Sequence, residues 1–209
     1  MNKIYPSVAV RLREYTVRFV LLYLLIITGF AQADIQLEEN YHYYDINGNT
    51  AEQLRNSIDR NRHLMVGNEP FDAVTDWNIK WQYNYQQTGA TCVITQVSVK
   101  VLIDYRLPRW KKIHRQSNPA LSMAWQRYMD NLIAHEHEHG RIAFNAADDV
   151  AQAILDSDTP ADRPPPSSCS ELEIAANKSG MEIIELVRAQ QKWFDRVTDH
   201  GANNGATFP

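Results

Sequence analysis

The chain reads as an α+β fold, a small antiparallel sheet packed against a long helix and a C-terminal helix. Three observations predict it. Trp77, Ile79, Trp81, Tyr83 and Tyr85 alternate with polar residues, the period of a half-buried strand. After Gln86-Gln87-Thr88-Gly89-Ala90 a second apolar run starts at Cys92, so the two runs form an antiparallel hairpin. Further on, two stretches of helical period flank a proline-rich joint, Asp156 to Ser168.

Taken in order, Tyr41 to Ile46 is aromatic and predicts a short strand, with Asn47-Gly48-Asn49 as a turn. Thr50 and Gln53 make a capping box in front of Leu54 and Ile58, which predicts a helix over about 51–61. The hairpin occupies about 77–106; Val93, Val97, Val99, Val101, Ile103 and Tyr105 share its apolar face, and Pro108 ends it. Asn118-Pro119 opens a long helix, because proline in the first turn gives up only an N–H that had no partner; the helix reaches about Leu155. Ser170 with Glu173 caps a second helix over roughly 171–198, and Gly201 ends it. No internal repeat is present. The roughly 40 residues beyond the proline run are too few to bury a core alone. Residues 34–209 are therefore read as one domain with an interhelical linker at about 156–168.

The first 33 residues read differently. Lys3, Arg11, Arg13 and Arg18 face a single acid, Glu14; an apolar run from Phe19 to Ile27 follows, and Ala31-Gln32-Ala33 closes it. A basic start, a short apolar stretch and an A-x-A site describe a secretory signal peptide, residues 1–33, cleaved after Ala33. The apolar run falls short of the roughly 20 residues a spanning helix needs. A periplasmic or secreted protein without stable membrane association is expected. Without the leader, 17 basic residues stand against 24 acidic ones, so the net charge moves from −4 to −7. An acidic chain of this kind has no field for nucleic acid. In an oxidising compartment Cys92 and Cys169, 77 residues apart, are expected to pair, restricting the unfolded chain by about 4 kcal/mol.

Of the seven histidines, three fall in His135-Glu136-His137-Glu138-His139-Gly140. This contains H-E-x-x-H as His135, Glu136 and His139. Residues four apart on a helix lie on one face. Two imidazoles so placed chelate one zinc ion, while the glutamate beside the first addresses a water on it. Helical phase sharpens the reading. At 100° per residue, Trp125, Tyr128, Met129, Ala143, Ala146, Ala147, Val150 and Ile154 lie within about 60° of Leu132. His135, Glu136 and His139 fall in that buried stripe; His137 and Glu138 point away, beside Arg127, Asp130, Arg141 and Asp148. A buried His-Glu-His cluster without a partner costs several kcal/mol, and a metal with an ordered water removes that cost.

A catalytic zinc normally takes three protein ligands and one water. His200, where Gly201 lets the chain turn at the end of the last helix, is the expected third ligand. Asp195 is an alternative ligand, or the carboxylate that orients an imidazole from behind. On an unbroken helix Asp195 and His200 stand about 140° apart, so both reach one ion only where the helix breaks.

These residues carry a resemblance. The stretch from Cys92-Val93-Ile94 to Leu107-Pro108-Arg109-Trp110, the helix with His135-Glu136-x-x-His139, and the tail Asp195-x-x-Thr198-x-His200-Gly201 resemble a bacterial family of predicted secreted zinc-dependent proteases, long carried as a domain of unknown function. The resemblance covers most of the chain after residue 75 and implies a zincin-like arrangement and a metallopeptidase. Where that family often has tyrosine before the tail aspartate, this chain has Phe194.

The expected function is a secreted zinc-dependent metallopeptidase that hydrolyses peptide bonds of a peptide or protein substrate. One Zn²⁺ is held by His135, His139 and His200, and Glu136 is the general base. Arg196 and His114 are candidates for stabilising an oxyanion. The hairpin offers an extended peptide an edge strand. Two other readings stand beside this one: a zinc amidase acting on cell-wall peptides, and an exported, non-catalytic zinc-binding module.

Overall fold

The computed structural model describes residues 32–61, 65–66, 69–89, 91–111, 118–162 and 164–208. The elements are β1 (Gln32–Ile46), α1 (Ala51–Asn61), β2 (Met65–Val66), β3 (Glu69–Pro70), β4 (Val74–Thr88), β5 (Thr91–Trp110), α2 (Pro119–Leu155) and α3 (Cys169–Thr198), followed by a single 3₁₀ turn at Ala202–Asn204. The fold is α+β. Of the expected leader, only Gln32 and Ala33 lie within the described residues, and they open β1.

The main sheet has three strands in the order β1-β5-β4. It is mixed rather than antiparallel. β4 and β5 form the expected hairpin, but β1 runs parallel to β5 over its whole length, from Gln32 opposite Gln96 to Ile46 opposite Trp110. The reason is topological: α1 and β4 intervene between β1 and β5, and that crossover returns the chain in the same direction. β1 is also 15 residues long, not a short strand starting at Tyr41. Among the described residues β1 is little covered, and Leu37, Tyr41 and Tyr43 are exposed. Glu38, Glu39 and Asn40 therefore interrupt its pattern without cost, and the apolar alternation that marks β4 is missing.

β5 is the spine of the core. Cys92, Ile94, Val97, Val99, Val101, Ile103, Tyr105 and Leu107 are buried along it. The step from Ile94 to Val97 breaks the period of two because Asn84 faces Gln96 while Tyr85 faces Ile94, leaving Thr95 as an extra residue. The bulge turns Val93 outward, contrary to the expected face. Pro108 does not end the strand. β5 loses β4 as a partner beyond Arg106 and continues to Trp110 on β1 alone, an edge where a residue without an N–H is tolerated.

The Asn118 side chain caps α2, accepting from the Leu121 N–H at 3.1 Å, with Pro119 in the first turn. α3 starts two residues before the expected position. Ser168 caps it, accepting from the Glu171 N–H at 3.2 Å, and the Glu171 carboxylate reaches back to the Ser167 N–H at 2.9 Å. Glu173 instead accepts from the Tyr85 hydroxyl at 2.7 Å, tying α3 to β4. Cys92 and Cys169 form a disulfide between the start of β5 and the start of α3. α2 and α3 pack against each other, α2 on β5 and β4, and α3 directly on β4 through Trp81, whose Nε1 donates to Asn177 at 3.0 Å. Gly140 lets α2 close on β5, since a Cβ there would stand 2.2 Å from the Tyr105 hydroxyl. The layers meet where α2 carries its histidines.

Candidate metal centre

Helical phase predicts the orientation of the motif correctly. His135 and Glu136 are each 5% exposed and His139 9%, all within the buried stripe of α2. His137 is exposed and meets the Tyr41 hydroxyl at 3.0 Å, while Glu138 accepts from Arg141 Nε at 2.7 Å. The two neighbours are the solvent-facing pair the phase implies.

The buried imidazoles point at each other. His135 Nε2 and His139 Nε2 are 3.2 Å apart. From α3, Asp195 Oδ1 approaches His139 Nε2 to 2.9 Å and His135 Nε2 to 3.5 Å. His135, His139 and Asp195 offer donor atoms within 4.8 Å of one another, a group that can hold a metal ion. The three-donor set therefore contains Asp195, the alternative ligand of the sequence reading.

His200 is brought to the rim of this group and not into it. α3 stops at Thr198, and Asp199, His200 and Gly201 take left-handed φ values of 49°, 50° and 85°. The helix breaks where an unbroken one would have held Asp195 and His200 apart. The turn brings His200 Nδ1 to 3.7 Å from Asp195 Oδ1 and lays its ring 4.8 Å from that of Phe71. Two consecutive non-glycine residues in the left-handed region carry local strain, and it is stored at the site. Gly201 suits its left-handed φ, and its surroundings are tight as well. A Cβ there would meet His135 Cγ at 3.1 Å and the Ala206 Cβ at 3.0 Å.

Two residues that sequence reasoning missed fix the protons of the site. Gln191 Nε2 donates to the His139 carbonyl at 2.9 Å. That carbonyl only accepts, so the amide orientation is settled and Gln191 Oε1 faces His139 Nδ1, with which it is hydrogen-bonded. Nδ1 must carry the proton, and the Nε2 lone pair faces His135 and Asp195. That lone pair can accept the His135 Nε2 proton or a metal ion. Thr75, at the start of β4, places its hydroxyl 2.6 Å from Glu136 Oε2 and 3.0 Å from the Glu136 carbonyl. Gln191 lies one turn before Asp195 on the inward face of α3, a spacing visible in the sequence. Nothing local marks Thr75.

Packing holds His135 instead. Phe194 stacks on its ring at 4.9 Å with a 19° interplanar angle and meets the His139 ring edge-on at 5.0 Å. The aromatic before the tail aspartate is thus a wall for both imidazoles.

The electrostatics follow from these contacts. Burial raises Glu136 above the ordinary carboxylate range, and the Thr75 hydroxyl and the two histidines only partly offset it. Burial works against charge on His139, but Asp195 and Gln191 outweigh it and raise its pKa. Burial would raise Asp195 too; the hydrogen bonds from His135 and His139 win and hold it far below the usual range. Two imidazole nitrogens and one carboxylate oxygen are a donor set that could hold a divalent transition-metal ion, with zinc among the ions that suit it.

A cavity of about 420 Å³ opens onto the centre, walled by Phe71, Trp77, Leu132 and Ala206 and by the polar side chains of Thr75, Glu136 and Gln191. Arg196 is exposed and does not line it; His114 lies outside the described residues. Part of the lining is held by a half-buried network. Arg55 donates twice to Asp72, at 2.6 and 2.7 Å, and the Tyr128 hydroxyl donates to Asp72 at 2.7 Å.

Among the described residues no helix is long and apolar enough to cross a membrane. No curated protein and no solved structure matches the chain. Residues 41–201, which contain His135, His139 and Asp195 and most of the sheet, match the model of a family described as a bacterial protein of unknown function. The chain belongs to that family, DUF922.

Proposed function

We propose that the protein is an exported zinc-dependent metallopeptidase. One observation carries the reading: His135, His139 and Asp195 converge within 4.8 Å at the floor of an open cavity that Glu136 also lines. A purely structural metal site has no need of a buried carboxylate beside its ligands. His135, His139 and Asp195 would hold the ion, and His200 is close enough to join or leave that set. A zinc ion bound there supplies Lewis-acid polarisation of a scissile carbonyl and acidifies water.

The rest falls to the chain's own groups. Glu136, which burial raises from its ordinary value, is the buried carboxylate placed beside the ligand group to act as the general base. The Thr75 hydroxyl serves both of its states. It donates to Glu136 Oε2 when Glu136 is ionised, and turns to the Glu136 carbonyl when the acid carries a proton. Glu136 can therefore take a proton from water and deliver it to a leaving amine without losing its position. Phe71, Trp77 and Leu132 give the cavity its apolar lining. Among the described residues β4, whose residues Val74, Thr75 and Trp77 wall the cavity, pairs with β5 alone. Its outer main chain is available to an extended peptide. The disulfide, the basic leader and the A-x-A site support export to an oxidising compartment.

The test compares cleavage of a peptide library by the zinc-loaded protein and by Glu136→Ala. Cleavage by the first and none by the second, at equal zinc content, is the expected result. Zinc bound without any cleavage by the intact protein would overturn the peptidase reading and leave the non-catalytic zinc module.

A further inference from the structure

We infer that the cavity selects a peptide carboxylate near the bond held at the metal centre, through Lys192 and Arg188. The inference rests on the peptidase reading and names its substrate class.

The cavity's charges divide into those already committed and those that are not. Three carboxylates line it, Asp72, Glu136 and Asp195. Asp72 is held by Arg55 and Tyr128, Glu136 by Thr75, and Asp195 by the two histidines. Of the three long cations in the lining, Arg55 is spent on Asp72 and Asp59. Arg188 touches Glu185 one turn back on the solvent side. Lys192 has no ion-pair or hydrogen-bond partner among the described residues. The cavity therefore keeps a positive rim with no matching negative group of its own.

Helix geometry puts that rim beside the chemistry. Arg188, Gln191, Lys192 and Asp195 are spaced i, i+3, i+4 and i+7, one face of α3. Along the axis Lys192 stands about 4.5 Å from Asp195, and Arg188 about 10.5 Å. These are the lengths of one to three residues of extended peptide. A carboxylate displaced from the scissile bond by that distance meets one cation or both. Phe71 and Trp77 line the same cavity and give it an apolar portion. The chain as a whole carries a net charge of −4, so its general field does not draw acidic peptides in. The preference would be written locally.

The carboxylate has two sources, an Asp or Glu side chain or a free C-terminus, and the experiment separates them. Three otherwise matched peptides are compared: one with an internal Glu and an amidated C-terminus, one with Gln and a free C-terminus, and one with Gln and an amidated C-terminus. The expected result is about tenfold higher kcat/KM for at least one carboxylate peptide over the neutral one. In the double variant Lys192→Glu with Arg188→Glu that ratio falls to one or below, and a Lys-bearing peptide gains. Equal, measurable cleavage of all three by the unmodified protein, or a preference that survives the charge reversal, would overturn the inference. The same peptides, fluorescein-labelled, are titrated against zinc-loaded Glu136→Ala, so that binding is read without turnover. Tighter binding of the carboxylate peptides, abolished by charge reversal, supports the inference even where nothing is cut and the peptidase reading has failed. Equal binding overturns the inference alone.

Discussion

Replacing Gln191 by leucine tests the proton logic of the metal centre. Gln191 is 7% exposed and bonds to His139 at both ends of its amide. Leucine fills most of the same volume but offers no acceptor. His139 Nδ1–H would then be buried without a partner, at a cost of about 1–3 kcal/mol. That cost falls on the tautomer whose Nε2 faces the metal, so metal affinity should drop by the same free energy, about 10–100-fold. The assay is competition for zinc against a chromophoric chelator at pH 7.5, with thermal unfolding of the metal-free protein as a control for folding. Gln191→Glu sharpens it: a carboxylate still accepts from Nδ1, though it cannot donate to the His139 carbonyl, so the loss should be under about tenfold. An unchanged zinc affinity in Gln191→Leu would refute the reasoning, because His139 would then not depend on the amide for its tautomer.

The other predictions concern the ligands, the turn and pH. Asp195→Ala should weaken zinc binding by more than the about 10–100-fold that follows from losing an orienting partner, and His200→Ala by less; chelator competition on both variants ranks the two residues, and the reverse order would make His200 the principal third ligand. Gly201→Ala should lower the stability of the metal-free protein by about 1–2 kcal/mol for the left-handed φ alone, with further loss from crowding His135, read as a fall in the denaturant midpoint. His139 is raised above its ordinary value of 6.5 and Asp195 is lowered below 3.8. Without metal, their pair contributes fully between those two values; its contribution fades as pH rises through the raised His139 value and as pH falls through the lowered Asp195 value. Metal needs the same Nε2 free of its proton, so zinc affinity should rise with pH, about tenfold per unit until His139 is neutral and then level off. Titrations from pH 5 to 8 should therefore show metal-free stability and zinc affinity moving in opposite directions above pH 6.5.

What could be read from the sequence was whatever a single element carries within itself. The stripe through Trp125, Leu132 and Val150 fixes the phase of α2, and with it the burial of His135, Glu136 and His139 and the exposure of His137. Asn118-Pro119 and the proline-rich stretch from Pro160 to Pro166 mark real boundaries for the same reason. Features decided by pairing between distant segments were not legible. β1 joins β5 in parallel although its own inner face is half open to solvent, so its residues do not announce the strand. The bulge at Thr95 reverses the parity of β5 ahead of it and turns Val93 outward. The choice between Asp195 and His200 depends on two left-handed non-glycine residues, Asp199 and His200, and only Gly201 hints at such a turn. Thr75 reaches Glu136 from a separate element, 61 residues earlier in the chain, through a register that no local pattern encodes.

The most direct test of the metal centre is the metal content of the protein purified without added metal, measured by inductively coupled plasma mass spectrometry alongside a His135→Ala/His139→Ala double variant. One zinc per chain in the intact protein and none in the variant is the predicted result. An intact protein without metal, or a variant that keeps it, would contradict the assignment of His135, His139 and Asp195 as its ligands.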